Sequence, residues 1–133
     1  MYSVTKQIDF CYGHRLLDYD GVCKHPHGHN AKVEIEVGSD TLDGRNMVCD
    51  FSDIKRIVKG WIDREFDHKM LLRHDDPLVK VLQQLGEPVF VCASNPTIEH
   101  IAQLIYLHAR KEGLPVVRVR AWETPTSYAE YGE

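Results

Sequence analysis

The segment His27-Gly28-His29-Asn30-Ala31-Lys32-Val33-Glu34-Ile35-Glu36-Val37 decides the fold and carries the chemistry. Ala31, Val33, Ile35 and Val37 alternate with Lys32, Glu34 and Glu36. Successive strand residues point to opposite faces, so this pattern predicts a strand with one buried and one wet side. Upstream, Tyr2, Val4, Ile8 and Phe10 fall at even positions and predict a first strand over residues 2–10. Residues 11–28 collect Gly, Asp, Pro and His and read as a long loop. Residues 38–46 read as a turn region, with a short extension over 47–49.

Two helical patterns follow. Asp50 or Ser52 can cap a helix whose Ile54, Ile57, Val58, Trp61 and Ile62 recur at offsets of three and four. It should end near Phe66. Asn95 can cap the other, with Pro96 at its first position, a buried face of Ile98, Ile101, Ala102 and Ile105, and Gly113 at its end. Residues 77–85 are a weaker helical stretch. Residues 89–92 and 116–122 read as strands, with a further extended piece near Tyr128. The expected architecture is α+β, a mostly antiparallel sheet covered by helices on one side. No internal repeat appears, and residues 1–133 are expected to form a single domain.

Composition narrows the function classes. Apolar residues make up 43% of the 133 and charged residues 27%, so a packed core is expected rather than disorder. Sixteen Lys and Arg against 20 Asp and Glu give a net charge of −4, which disfavours a nucleic-acid partner. No apolar run approaches the roughly 18 residues that a membrane span requires. Residues 1–10 lack the apolar centre of a signal peptide, so a cytoplasmic chain with reduced thiols is expected. Cys11, Cys23, Cys49 and Cys92 then read as core residues, ligands or nucleophiles rather than bridges.

Four of the eight histidines fall between His14 and His29. His27 and His29, two apart at the start of a strand, can share a face, and His14 follows a strand that can pair beside it. Three imidazoles make a zinc site with one open position. Gly28 removes bulk between two of them, and His25 is a competing ligand next to the disruptive Pro26. Cys23 has three readings: a buried small side chain, a fourth ligand closing a structural site, or a thiolate beside a cationic metal. Asp67 and His68 follow the first helix, where adjacent side chains diverge and need not pair. Glu99 falls in the first turn of the second long helix, where a carboxylate suits the dipole. Glu123 stands at a strand end after Trp122, either as an exposed carboxylate or as an acceptor of two parallel N–H bonds from a flat heterocycle. His100 and His108 read as surface or hydrogen-bonded core residues, and His74 as surface.

Cys23-x-x-x-His27-Gly28-His29, with His14 upstream, resembles the 6-pyruvoyltetrahydropterin synthase / 6-carboxytetrahydropterin synthase family. Met47 to Phe51, Phe66-Asp67-His68, Asn95-Pro96-Thr97-Ile98-Glu99 and Trp122-Glu123-Thr124 resemble further family segments, in order. The resemblance implies a tunnelling fold of ββααββ order, with two long helices on one face and subunit sheets closing a barrel. The assembly implied is a homo-oligomer, a trimer or a dimer of trimers. It implies zinc on His14, His27 and His29, Cys23 as catalytic thiol with Asp67 and His68, and Glu123 as the pterin anchor helped by Thr97 and Glu99. The implied substrate is 7,8-dihydroneopterin triphosphate, whose phosphates Arg15, Lys24 and His25 are expected to meet. The short Cys23–His27 spacing looks like the queuosine-pathway enzymes that make 6-carboxy-5,6,7,8-tetrahydropterin. The alternatives are a pyruvoyl product by triphosphate elimination, or a zinc-stabilised binding module without turnover. Tyr12-Gly13, Asn30-Ala31, Phe66 in place of a leucine, and a longer stretch between Asp67 and Asn95 depart from the family pattern.

Overall fold

The computed structural model describes residues 1–133. The first two strands, β1 (Tyr2–His14) and β2 (His27–Ser39), pair antiparallel without a break from Tyr2 opposite Ser39 to His14 opposite His27. The loop expected over residues 11–28 is therefore confined to residues 15–26, with a 3-10 turn at Val22–Lys24. The ladder continues because Cys11, Tyr12 and Gly13 find partners in Asn30, His29 and Gly28. Gly13 leaves room for the Met70 side chain, whose atoms a Cβ there would approach to 3.1 Å.

The first helix is continuous but not uniform: α1 (Phe51–Ile54) and α2 (Gly60–Glu65) are joined by a π-helical turn at Lys55–Lys59. Asp50 caps it by accepting from the Ser52 N–H at 2.8 Å. Ile54, Val58 and Ile62 are fully buried, whereas Ile57 and Trp61 are only partly so. No strand forms over residues 47–49. Between the long helices the chain adds β3 (Lys69–Arg73), α3 (Pro77–Gln84) and β4 (Val89–Cys92). α4 (Ile98–Lys111) is followed by β5 (Val116–Thr124) and β6 (Ser127–Gly132).

All six strands form one sheet in the order β4-β3-β1-β2-β5-β6. The β1, β2, β5 and β6 part is antiparallel, and β3 and β4 join its edge in parallel. The long helices bury Ile54, Val58, Ile62, Ile101 and Ile105 against Ile8, Phe10, Val33, Ile35 and Val119. Each such side chain contributes about 1.5–3 kcal/mol when fully buried, enough to fix which strand face turns inward.

Two expectations at helix starts are corrected. Thr97, not Asn95, caps α4, its Oγ1 accepting from the His100 N–H at 3.2 Å. Pro96 therefore precedes the cap, because the Asn95 amide is used elsewhere. It accepts from Leu17 N–H at 3.0 Å and donates to Leu17 C=O at 2.8 Å, pinning the loop after β1. His100 is not satisfied either: its Nε2 is buried without a partner.

Asp76 anchors the same region from the other side. Its carboxylate is fully buried, caps α3 through Leu78 N–H at 2.8 Å, and takes both Nε and Nη2 of Arg15. The Arg15 guanidinium holds the Asp76 carboxyl below the usual carboxylate range. Asp76→Ala should cost about 2–3 kcal/mol, from a lost cap and lost charge-assisted bonds, because the partly exposed Arg15 can turn to water. Urea unfolding should show a lower midpoint at unchanged slope. The Asp76 contribution should be complete above the ordinary carboxyl value of about 3.9 and vanish as pH falls through the lower folded value.

Candidate functional site

The β1–β2 register places Tyr12 opposite His29 and His14 opposite His27, all four on the helix-facing side. His14 is 2% exposed, and the other two imidazoles are half-buried. One donor nitrogen from each of the three rings falls within a mutual 4.8 Å. The His14 Nε2 lies 3.0 Å from His27 Nε2 and 3.2 Å from His29 Nε2.

The outer nitrogens decide what this cluster can hold. His14 Nδ1 sits 2.7 Å from the Pro96 carbonyl, and His27 Nδ1 sits 2.7 Å from the His25 carbonyl. A carbonyl only accepts, so both Nδ1 atoms carry the proton and both Nε2 atoms present lone pairs. Two lone pairs at 3.0 Å cannot bond to each other. Either an extra proton or a cation must stand between them. Burial pushes the His14 imidazole below its ordinary value, which disfavours an extra proton on that ring, and burial acts on His29 in the same direction. Backbone carbonyls that orient ligating imidazoles are the usual support of a metal site. Three neutral imidazoles fit zinc with an open fourth position.

Glu123, near the end of β5, borders the cluster. Its Oε1 lies 3.6 Å from His14 Nε2 and 3.9 Å from His29 Nε2, and accepts from Tyr12 OH at 3.2 Å. Burial, then the Glu123 charge, pushes the Tyr12 phenol far up, so it stays a donor. Tyr12, in the sequence only a departure from the family pattern, is thus a site residue; its signal is an aromatic two positions before His14 on the same strand face.

Asp67 and His68, which adjacent helical positions would not by themselves bring together, form a pair. His68 has left the helix, with φ of 60°, and its Nδ1 lies 2.9 Å from Asp67 Oδ2. Asp67 Oδ1 accepts from Cys11 N–H at 3.0 Å, and His68 N–H donates to Cys11 C=O at 2.7 Å. At about 1 kcal/mol each, these bonds outweigh the roughly 1–2 kcal/mol cost of the left-handed residue. Burial would raise the Asp67 carboxyl, but the Cys11 N–H and the His68 ring hold it below the usual range.

The other expected residues are dispersed. Cys23 is half-buried in the 3-10 turn and contributes no donor to the histidine group. The Thr97 hydroxyl is spent as a helix cap. Glu99 is exposed and lines a depression with Thr97, Gln103 and Tyr131. Arg15 is not a free cation, because Asp76 engages it, whereas Lys24 and His25 are exposed beside it. A cavity of about 740 Å³ runs past Cys11, His27, His29, Asn30 and His68, and a second of like size joins Asp67 and His68 to Trp122 and Thr124.

The family model described as 6-pyruvoyl tetrahydropterin synthase matches residues 3–133. The chain belongs to this family. Relatives named 6-carboxy-5,6,7,8-tetrahydropterin synthase include one from Haemophilus influenzae, 34% identical and covering 100% of both chains. Another, from Aquifex aeolicus, is 39% identical over 99% of this chain and 98% of its own. The one from Rickettsia bellii is 33% identical over 98% and 99%. An uncharacterized protein of Wolinella succinogenes superposes with TM-score 0.84 at 28% identity, covering 99% of this chain and 98% of that one. The Caenorhabditis elegans 6-pyruvoyl tetrahydropterin synthase superposes with TM-score 0.75 at 19% identity, covering 99% and 95%. The fold is thus the expected tunnelling fold, and β3, α3 and β4 lie between its two long helices in chain order.

A single equivalent of cobalt should bind to the metal-free protein without a thiolate-to-metal charge-transfer band in the near ultraviolet, because Cys23 lies outside the donor group. His27→Ala should lose that equivalent. A strong thiolate band that disappears in Cys23→Ala would make the site a closed structural one.

Proposed function

We propose that the chain is a zinc-dependent lyase that converts 7,8-dihydroneopterin triphosphate and water to 6-carboxy-5,6,7,8-tetrahydropterin, acetaldehyde and triphosphate. The observation that carries the reading is the pair of facing His14 and His27 lone pairs, completed by His29, beside the Glu123 carboxylate. The full-length relatives bearing that name support the product. The setting is the cytoplasm, in keeping with four unpaired thiols; no helix is long and apolar enough to cross a membrane.

The chain's own groups divide the work. Zinc held by His14, His27 and His29 would acidify and orient the hydroxyls of the substrate side chain. The Cys23 thiolate removes a proton from the adjacent carbon, and its conjugate acid returns one. Asp67 fixes the His68 ring through Nδ1, so His68 Nε2 is the end that exchanges protons with the substrate. Glu123 accepts N–H bonds from the pterin ring while Tyr12 OH holds its Oε1. Thr97 acts through its cap, which sets the start of α4 and with it the Pro96 carbonyl behind His14. The working unit is a homo-oligomer, a trimer or a dimer of trimers, in which Cys23 of one copy meets Asp67 and His68 of the next.

Incubating zinc-loaded protein with dihydroneopterin triphosphate and identifying products by mass tests the reading. The 6-carboxy product with acetaldehyde is expected. A pyruvoyl product with triphosphate alone would assign the chain to the other branch, and unchanged substrate would leave a binding module. Glu123→Gln presents a donor where the ring also donates. An unpaired buried donor costs about 1–3 kcal/mol, so substrate binding should weaken roughly ten- to a hundredfold. Equilibrium binding of a pterin to the zinc-loaded variant measures it, and unchanged affinity would remove Glu123 from ring recognition.

A further inference from the structure

Cys11 points to the sheet face opposite Tyr12 and His14, because strand neighbours alternate. On that face its sulfur joins Asp67 and His68: one donor atom from each of the three lies within a mutual 4.8 Å. The backbone holds them there, since the Cys11 N–H and C=O are both bound, to the Asp67 carboxylate and the His68 N–H. The group is separate from the three histidines, and its residues line two cavities.

We infer that Cys11, Asp67 and His68 form a second site for a thiophilic divalent cation of the zinc class, and that its occupation inhibits the enzyme. The donor set is one soft thiolate, one imidazole and one carboxylate, with water for the fourth position, all ordinary zinc ligands. Tetrahedral zinc with a bond of 2.3 Å to sulfur and 2.0–2.1 Å to nitrogen or oxygen sets its ligand atoms about 3.3–3.6 Å apart. The 4.8 Å group needs only a small contraction. The His68 side chain is 78% exposed and can supply it. Binding exchanges the thiol proton for the metal, so affinity should rise with pH.

The site is weaker than the three-histidine centre, because its imidazole is exposed and unsupported by a carbonyl. It therefore fills only after the first equivalent. Inhibition follows because the metal occupies the Asp67–His68 pair; that clause rests on the proposed role of the pair, whereas the metal site itself does not.

The test uses the full-length protein carrying one zinc per chain, titrated with cobalt under anaerobic conditions. A thiolate-to-cobalt charge-transfer band should grow with the second equivalent. It should persist in Cys23→Ser, weaken in His68→Ala and be absent in Cys11→Ser, a near-isosteric change. Retention of the first equivalent and an unchanged circular dichroism spectrum show that the variants are folded. A band that survives in Cys11→Ser, or that depends on Cys23 instead, would overturn the site. So would the absence of any band at saturating cobalt in the unaltered protein. Excess zinc should also slow turnover in the unaltered enzyme and do so far less in Cys11→Ser; equal inhibition in both would refute the inhibitory role. The cobalt spectrum needs no turnover, so failure of the proposed activity and failure of this site are read separately.

Discussion

The unbroken antiparallel pairing of β1 with β2 is the constraint on which the rest depends. A slip of one residue would turn every side chain of one strand to the other face. The buried pairs Ile8 with Val33 and Phe10 with Ala31 resist that slip. The same register, carried to the strand ends, brings His14 opposite His27 and Tyr12 opposite His29. The chemical cluster is thus the last two rungs on the helix-facing side of a ladder held in place by its apolar rungs. Carbonyls at Pro96 and His25 then turn two of the imidazoles so that their lone pairs face each other. That arrangement is uncomfortable for the bare polypeptide and comfortable around a cation.

The opposite face of the same ladder carries different chemistry. Gln7 with Glu34, Asp9 with Lys32 and Cys11 with Asn30 line it, and the Asp67–His68 turn is tied to its end. Hydrogen bonds to the Cys11 backbone tie those two residues to the strand, and the Asp67 N–H also closes on Ile62 C=O. His68 accepts a left-handed conformation to make them. A residue that is strained, exposed and aimed at a cavity suits chemistry better than stability.

The sequence made much of this legible for identifiable reasons. Period-two alternation over residues 31–37 and offsets of three and four in the helices report burial directly, and both were visible. The H-x-H pair was visible because strand geometry alone makes its two side chains share a face. β3 was not, since Lys69-Met70-Leu71-Leu72-Arg73 is a short apolar run with no alternation, buried by neighbours on both sides. Cys11 and Tyr12 were absorbed into an expected loop, and only pairing with Asn30 and His29 gives them a face. Asn95 has every local mark of a helix cap, and a tertiary contact to Leu17 takes its side chain away. Arg15 is a cation next to the metal ligands in sequence, but a buried carboxylate 61 positions later claims it.

Within one chain the histidine cluster and the Asp67–His68 pair stand in separate groups, and Cys23 belongs to neither. We propose that they serve one reaction because neighbouring copies assemble it. Refolding an equal mixture of Cys23→Ala and His68→Ala tests this most directly. In a cyclic assembly an interface is whole when its thiol side comes from the His68 variant and its Asp67–His68 side from the Cys23 variant. Random mixing makes that about one interface in four, so roughly a quarter of the unaltered activity should return from two inactive parents. Activity near zero in verified mixed oligomers would mean that each site is built within a single chain, contradicting the claim.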